Sequence, residues 1–282
     1  MILKSKNILI VGLGLIGGSY AEGLSKKGYK VFGIDIDKEA VKYAKEKKFI
    51  DNKGLTEEEI LAQSDIIVLA IYPTKVVDFL KEHQSKLKEN CIITDTSGIK
   101  LSVVNPVLEV LREDIDFVFS HPMGGKESKG IYNADANAFK GANFLIIPTA
   151  KNKNESIEVI KELARVLEFK NIETISIEEH DKTISFLSQL THAIAVSLMN
   201  SKENSNFIKY TGDSFRDLTR IAKINEDLWS ELFLLNKDNL LEDIDLFISE
   251  LENLKDKIKT DDKESLKKLF VEATKRRKAF DK

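Results

Sequence analysis

The chain has 282 residues, which is enough for about two domains with a sizeable hydrophobic core. Its net charge of −3 gives no support for nucleic acid or an anionic membrane surface as the main partner. The single cysteine, Cys91, excludes an internal disulfide and a thiolate metal cluster, and no apolar run reaches the ~18 residues that span a bilayer. We therefore expect a cytoplasmic protein that has no metal site.

The chain begins with an apolar strand, Ile8–Val11, that runs into a glycine-rich turn, Gly12–Gly17. The pattern predicts a helix over Ile16–Lys27 and a second buried strand, Val31–Ile34, which ends at Asp35. Strand, glycine turn, helix, strand and acid, in this order, are typical of a dinucleotide-binding βαβ unit.

Each glycine of the turn has its own predicted function. Gly12 makes the tight turn, Gly14 lets the backbone approach a pyrophosphate, and Gly17 lets the helix pack closely on the strand. The backbone amides at the start of the helix, those of Leu15 and Ile16, have no partner within the helix and attract phosphate. These five residues are the predicted phosphate-binding part of the coenzyme site.

The acid after the second strand predicts which coenzyme binds. The Asp35 carboxylate can accept both hydroxyls of an adenosine ribose and would repel a 2′-phosphate. Asp37 adds to the repulsion, whereas Lys38 counts against it. We therefore expect NAD. An empty turn of the same shape is the alternative, and the apolar strand before the glycines favours the coenzyme.

Apolar strands then alternate with amphipathic helices, which predicts a mostly parallel sheet covered by helices on both faces. The predicted elements are strands at Asp65–Ile71, Cys91–Thr94, Phe117–Ser120 and Asn143–Ile147 and helices at Thr74–Leu87, Lys100–Arg112 and Asn154–Leu167. From Ile177 onward the pattern is almost wholly helical. The predicted fold is a Rossmann-type α/β domain over residues 1–175, followed by an all-α domain over residues 176–282.

A histidine follows the predicted strand Phe117–Phe119, in the segment Ser120–Gly130. At the carboxyl end of a strand, and followed by proline and a glycine pair, His121 is expected to point into the cleft instead of continuing the sheet. Neutral imidazole suits the removal of a proton from a hydroxyl that becomes a carbonyl as hydride departs. A histidine that only caps the strand end is the alternative, and the neighbouring dinucleotide site favours catalysis.

The helix predicted over Glu178–Met199 has a polar stripe along an otherwise apolar surface. The stripe, spaced i, i+3, i+4 and i+7, consists of Ser185, Ser188, Gln189 and His192. This pattern does not distinguish a ligand-facing stripe from a solvated face or a core histidine. His180 lies off the stripe and is interpreted as a residue of the helix start.

The segment Asp213–Lys223 carries two arginines one helical turn apart, Arg216 and Arg220. Their guanidinium groups offer planar forks for carboxylates. The alternative is surface ion pairs with Asp213 and Asp217, which spacing alone favours.

Along the chain, the motifs GLGLIG, GIDID, SHPMGGKESKG, THAIA and SFRDLTRIAK closely resemble those of the prephenate dehydrogenase family, which includes arogenate and cyclohexadienyl dehydrogenases. The resemblance covers essentially the whole chain. It implies a Rossmann-type domain, a helical dimerisation domain that forms a homodimer, and an active site between them. The implied reaction is NAD-dependent oxidative decarboxylation of prephenate to 4-hydroxyphenylpyruvate in tyrosine biosynthesis.

The resemblance also implies functions for individual residues. His121 matches the catalytic histidine, which would accept the proton of the substrate hydroxyl. Arg220 matches the arginine that binds a substrate carboxylate, and His192 matches a histidine near the pyruvyl side chain. The other expected substrate-binding residues are Gly125, Glu127, Gln189 and Asp217, of which the two acids match residues near the pocket entrance.

This chain departs from the family pattern at one turn. Family members commonly have D-x-x-S-x-K beside the nicotinamide, whereas this chain has Asp95-Thr96-Ser97-Gly98-Ile99-Lys100. The expected serine position is therefore Gly98, and Ser97 is predicted to take over its catalytic and coenzyme contacts. Some relatives also have a histidine where this chain has Gln189.

Two other functions stay open at this point. Arogenate is the rival substrate, because it differs from prephenate only by an amine in place of the keto group, and His192 favours prephenate. A non-catalytic NAD-binding sensor is the alternative from a different class, and an intact His121 and Arg220 count against it.

Overall fold

The computed structural model describes residues 2–125, 128–203 and 205–281. The chain divides into two compact units, Met1–Asn236 and Lys237–Lys282. The larger unit contains both sheets and the first part of the predicted helical domain, so the predicted boundary after residue 175 lies inside it. Apolar residues that follow this boundary, among them Ile177, Trp229 and Leu232, pack into a core cluster of the sheet, which explains the larger unit.

The larger unit is built on a five-stranded sheet in which every pair of neighbours is parallel. Its strands are β1 (Asn7–Val11), β2 (Lys30–Ile34), β3 (Ile66–Leu69), β4 (Ile92–Asp95) and β5 (Asp116–Phe117). Their order across the sheet is β2-β1-β3-β4-β5. The strand order reverses between β1 and β3, and ligands of such sheets bind beyond the carboxyl ends of the strands at that place.

Helices connect these strands in sequence. They are α1 (Leu15–Lys26), α2 (Lys38–Glu46), α3 (Glu57–Gln63), α4 (Lys75–His83) and α5 (Leu101–Val110). Alternate residues of β1 enter two separate hydrophobic clusters: Ile8 and Ile10 lie in one, and Leu9 and Val11 lie in the other. Side chains alternate between the faces of a strand, so each face of the sheet has its own core, as the continuous apolar pattern of β1 predicts.

The predicted strand Phe117–Ser120 is wrong in one respect, because it is divided between two sheets. β5 ends the parallel sheet at Phe117, and β6 (Phe119–Met123) begins a second sheet of order β6-β7-β8. In that sheet β7 (Asn143–Ile147) is antiparallel to β6 and parallel to β8 (Asn171–Thr174).

His121 lies within β6, opposite Leu145, and the pairing continues through Pro122 to Met123. The prediction that the chain leaves the sheet at His121 is therefore wrong. β6 lies at the edge of its sheet and has a partner strand on one side only. Proline lacks the backbone N–H that a central strand uses for pairing, and it is therefore tolerated in edge strands.

Between β7 and β8 lies α6 (Asn154–Val166). The helices that follow the second sheet in the larger unit are α7 (Ile177–Ile184), α8 (Leu190–Asn200), α9 (Asp213–Thr219) and α10 (Glu226–Leu235). A π-helical segment, Ser185–Gln189, joins α7 to α8, so the predicted helix Glu178–Met199 is interrupted. The predicted polar stripe is divided accordingly: Ser185 and Gln189 are buried, whereas Ser188 and His192 are partly exposed.

The smaller unit consists of α11 (Lys237–Lys259) and α12 (Lys263–Arg277), which contact each other. Both carry exposed large apolar side chains, including Phe247, Leu251 and Phe270. None of the described helices is both long enough and apolar enough to cross a membrane.

Candidate active site

The glycine turn after β1 is confined on one side and open on the other. Gly12 has a φ of +87°, and a Cβ there would lie 2.4 Å from the Ala70 carbonyl oxygen. A Cβ on Gly17 would lie 1.8 Å from the carbonyl oxygen of Gly12. By contrast, apart from Gly14 itself and its neighbours in the chain, no atom of the described residues comes within 4 Å of a Cβ placed on Gly14. The open space lies where the sequence predicts a pyrophosphate.

The start of α1 borders that open space. Gly14 is the N-cap of α1, and no described side chain caps this end of the helix. Leu15 and Ile16, the first two residues of the helix, are partly exposed. Uncapped N–H groups at a helix N-terminus bind anions, so this end of α1 fits the phosphates of a dinucleotide.

Asp35 connects the end of β2 to the glycine turn. Its carboxylate accepts the backbone N–H of Leu13 at 2.5 Å and that of Asp37 at 2.7 Å. The half-buried Asp35 is thereby held beside the turn, where the ribose of a bound dinucleotide would lie. The Asp37 carboxylate accepts the backbone N–H of Glu39 at 2.9 Å and caps α2.

The second functional region centres on three side chains from two distant parts of the chain. His121 Nδ1 lies 3.0 Å from His180 Nε2, and His180 Nδ1 lies 2.6 Å from Asp181 Oδ1. His180 and Asp181 are fully buried on α7. The interpretation of His180 as a residue of the helix start misses this contact. The adjacent histidine and aspartate were the available signal, but the sequence did not indicate which face of α7 is buried.

Asp181 also holds the start of α5. Its two carboxylate oxygens accept the backbone N–H groups of Lys100 at 2.9 Å and Leu101 at 2.8 Å. The negative charge therefore lies at the positive end of the α5 dipole, which stabilises it. The histidine pair is in this way anchored to the start of α5 through one carboxylate.

Lys100 is fully buried and ties β4 to β6. Its Nζ donates to Asp95 Oδ2 at 2.6 Å and to the Ser120 carbonyl oxygen at 2.7 Å. Asp95 is also fully buried, so the two charges compensate each other away from water. Burial nevertheless lowers the pKa of Lys100, although Asp95 opposes the shift.

The surroundings of the pair lower the pKa of both His121 and His180. Desolvation is the largest cause that holds the pKa of His121 well below its usual value, and electrostatic interactions with His180 and Lys100 lower it further. Burial also lowers the pKa of His180, against the opposing hydrogen bond to Asp181. At neutral pH both rings are therefore uncharged, as a general base must be.

The other nitrogen of His121 faces a gap beside β4. A Cβ on Gly98 would lie 3.7 Å from His121 Nε2 and 3.6 Å from a methyl carbon of Leu232 on α10. Because Gly98 has no side chain, the space between His121 Nε2 and Leu232 is larger than it would be with any other residue at this position. The adjacent Ser97 is buried, and its hydroxyl makes no hydrogen bond within the part of the chain that the structure describes. The function predicted for Ser97 stays a prediction.

His192 packs against α10 at Trp229, about one helical turn before Leu232. Its ring stacks on Trp229, with the ring centroids 3.6 Å apart, and its Nδ1–H donates to the Ser188 carbonyl oxygen at 2.8 Å. Because Trp229 and Leu232 are three residues apart on α10, they lie on the same side of the helix. Thus α10 contacts His192 through Trp229 and borders the gap at His121 through Leu232.

Gln189 is enclosed by contacts with the end of α10. Its Nε2 donates to the Leu232 carbonyl oxygen at 3.1 Å, and its Oε1 accepts from Asn236 Nδ2 at 2.8 Å. With 1% of its surface exposed, Gln189 packs the helices together instead of lining an open pocket. Its predicted substrate contact therefore has no support in this geometry.

The other described residues that were predicted to bind substrate, Arg220, Asp217 and Gly125, are exposed. Arg220 is exposed and begins a turn, Arg220–Ala222, that contacts α8, and Asp217 is exposed on α9. A Cβ on the exposed Gly125 would lie 3.8 Å from Ile16 Cδ1, which places Gly125 over the start of α1. Glu127 lies outside the described residues.

Comparison with known protein families gives two adjoining matches. A family model described as the nucleotide-binding domain of prephenate dehydrogenase matches residues 20–172. A second, described as the dimerization domain of prephenate dehydrogenase, matches residues 176–272.

Individual proteins match over nearly the whole chain. The chain is 30% identical to a prephenate dehydrogenase of Bacillus subtilis, over 94% of this chain and 74% of that protein. It is 30% identical to a cyclohexadienyl dehydrogenase of Zymomonas mobilis, over 98% of this chain and 96% of that protein. A crystal structure of prephenate dehydrogenase from Aquifex aeolicus, in complex with hydroxyphenyl propionate and NAD+, matches all of both chains with a TM-score of 0.88 and 28% identity.

Proposed function

We propose that this chain, which belongs to the prephenate dehydrogenase family, catalyses the NAD-dependent oxidative decarboxylation of prephenate to 4-hydroxyphenylpyruvate. One arrangement carries the proposal: His121 turns Nε2 toward the gap beside Gly98 while its Nδ1 contacts His180. Gly98 follows β4 at the carboxyl edge of the parallel sheet, the edge at which dinucleotides bind.

The coenzyme would be held by the glycine turn and Asp35. The open space at Gly14 and the uncapped start of α1 would receive its pyrophosphate, and the Asp35 carboxylate would receive a ribose diol. NAD bound there supplies the acceptor for the hydride that leaves the ring carbon bearing the hydroxyl.

His121 would accept the proton of that hydroxyl and later return it. Its Nε2 accepts the proton as the hydride leaves, and the ring carboxylate departs as carbon dioxide with its bonding electrons left in the ring. The ring becomes aromatic, and the proton returns from Nε2 to the phenolate oxygen, so the imidazole ends the cycle neutral. Aromatisation supplies most of the driving force, and the protein's main tasks are to position the substrate and move one proton.

Arg220 and His192 would bind the anionic side of the substrate. Arg220 begins the turn that contacts α8, and His192 is on α8. A dianionic substrate needs cationic or dipolar partners, and a guanidinium group binds a carboxylate through two parallel hydrogen bonds. The exposed acid Asp217 is proposed to lie at the entrance of the pocket.

Replacing Arg220 by glutamine is expected to raise the KM for prephenate about tenfold to a hundredfold, because a charge-assisted hydrogen bond is worth about 1.5–3 kcal/mol. The turnover number should change little. Steady-state kinetics at saturating NAD measure both quantities. Arg216→Gln is the matched control, because Arg216 is already bound to Asp213 and to the Thr211 carbonyl oxygen. Equal KM values for the two variants would remove Arg220 from substrate binding.

The rate is expected to stay high as the pH falls through the usual pKa of imidazole. His121 must be unprotonated to act as a base, and desolvation holds its pKa well below 6.5. Activity is therefore present above this lowered pKa and lost only as the pH falls through it. A profile of kcat/KM against pH checks this, and a loss of rate centred near the ordinary histidine value would show that the base is another group or is well hydrated.

We also propose that the chain forms a homodimer through its C-terminal helices. The family model over residues 176–272 is described as a dimerization domain. The smaller unit has exposed apolar residues on both of its helices, and such surfaces are typical of protein interfaces.

The test of the proposed function is NADH absorbance after the protein is mixed with NAD and either prephenate or arogenate. A fast signal with prephenate supports the proposal, and weak turnover with NADP in place of NAD supports the assignment of Asp35. A preference for arogenate would be consistent with His121 as the base but would overturn the assignment of prephenate as the substrate. Binding of NAD without turnover of either compound would favour a sensor.

A further inference from the structure

His121 can act as a base at Nε2 only in one of its two neutral forms, the tautomer with its proton on Nδ1. We propose that His180 and Asp181 select that tautomer, and that both are therefore positioning residues for the base. The kinetic part of this inference rests on the proposed function, whereas the tautomer itself does not.

The hydrogen bonds can be assigned from the outer end of the chain of contacts. Asp181 already accepts two backbone N–H groups at the start of α5, and a carboxylate at the positive end of a helix is stabilised in its ionised form. An ionised carboxylate only accepts hydrogen bonds. At 2.6 Å from Asp181 Oδ1, His180 Nδ1 must therefore be the donor.

The assignment then passes through the two rings. A neutral imidazole has one N–H, so with Nδ1 protonated His180 has a lone pair on Nε2. That lone pair faces His121 Nδ1 at 3.0 Å, so His121 must donate from Nδ1. The proton of neutral His121 is thus on Nδ1, and its Nε2 is left bare toward the gap beside Gly98.

A doubly protonated His180 would reverse this result. The charged groups around the pair are Asp181 on α7, Asp95 at the end of β4 and Lys100 before α5. The two carboxylates favour a charged His180, whereas burial and the Lys100 ammonium disfavour it, and burial is the largest effect on the His180 pKa. His180 is therefore neutral, and the order of donors follows.

Two variants of His180 distinguish a residue that positions His121 from one that only packs in the core. In His180→Gln the amide oxygen can take the place of Nε2 and accept from His121, whereas in His180→Asn the shorter amide reaches Asp181 but not His121. We expect His180→Asn to lower kcat about 10²-fold with KM nearly unchanged, and His180→Gln to recover most of the rate. Equal losses in both variants, in proportion to a fall in Tm, would indicate packing alone and overturn the inference.

A measurement of the protons themselves needs no substrate. The chain has four histidines, so ¹⁵N-histidine labelling gives few ring signals, and His121→Asn and His180→Asn identify two of them. We expect both His121 and His180 to carry a single proton, on Nδ1, and His121 to shift toward the Nε2–H form in His180→Asn. A His121 that carries its proton on Nε2 in the unaltered protein, or a His180 protonated on both nitrogens, overturns the inference.

The two experiments keep this inference separate from the proposed function. If neither prephenate nor arogenate is turned over but the ring signals are as expected, the proposed function fails and the tautomer assignment stands. If turnover is fast but the ring signals contradict the assignment, the function stands and the positioning by His180 fails.

Discussion

Replacing His121 by asparagine is expected to lower kcat by a factor of about 10² or more, because a positioned general base contributes about 10²–10⁴ to the rate. The asparagine amide can occupy the place of Nδ1 and donate to His180 Nε2, which lies 3.0 Å from Nδ1 in the present structure. No group then takes the place of Nε2, which is the nitrogen that faces the gap beside Gly98. The KM for prephenate should change little, because the interaction is made mainly as the proton moves.

Steady-state kinetics with prephenate at saturating NAD measure this effect. NAD affinity and Tm serve as controls, since the glycine turn and Asp35 are untouched by the substitution. An unchanged kcat would remove His121 from the chemistry and would leave it as a strand residue that only contacts His180.

Replacing Lys100 by methionine is expected to lower the free energy of unfolding by about 3–5 kcal/mol, which is the usual cost of leaving one member of a buried ion pair without its partner. Lys100 and Asp95 are both fully buried, and their charges lie 2.6 Å apart. Methionine fills a similar volume but leaves the Asp95 carboxylate and the Ser120 carbonyl oxygen without the ammonium that now binds both. Chemical denaturation of the whole chain measures the loss.

Two control variants identify the cause of that loss. Lys75→Met removes a lysine whose contact with Asp78 is exposed on both sides, and exposed pairs contribute little, so its stability should be nearly unchanged. Combining Asp95→Asn with Lys100→Met removes the uncompensated charge and should recover part of the stability. If the single and double variants are equally destabilised, packing of the lysine stem, and not its charge, is the cause.

The dinucleotide-binding unit could be predicted from the sequence because its signals are local. The predicted helix Ile16–Lys27 corresponds to α1, Leu15–Lys26, and the parallel sheet with a core on each face is confirmed. The glycine positions depend on steric contacts within one turn, which residue type alone can reveal. The resemblance to the prephenate dehydrogenase family is also confirmed.

The sequence was less informative where an element changes direction or pairing. A continuous apolar run predicted one strand across Phe117–Ser120, but the chain changes sheets within it. A regular helical period predicted one polar stripe, but the π-helical segment divides it, and Gln189 is buried against α10. Periodicity records which residues avoid water and does not record which neighbour they pack against.

By itself, then, the sequence determined the coenzyme fold, the family and the identity of the histidine proposed as the base. Only the tertiary structure decided how that base is held. His121 and His180 are 59 positions apart in the chain. Lys100 contacts Asp95, Ser120 and Asp181 only after two sheets and α7 have packed together. Hydrogen bonds between buried polar groups depend on distances of a few tenths of an ångström between distant segments, and a linear pattern of residue types contains no such distances.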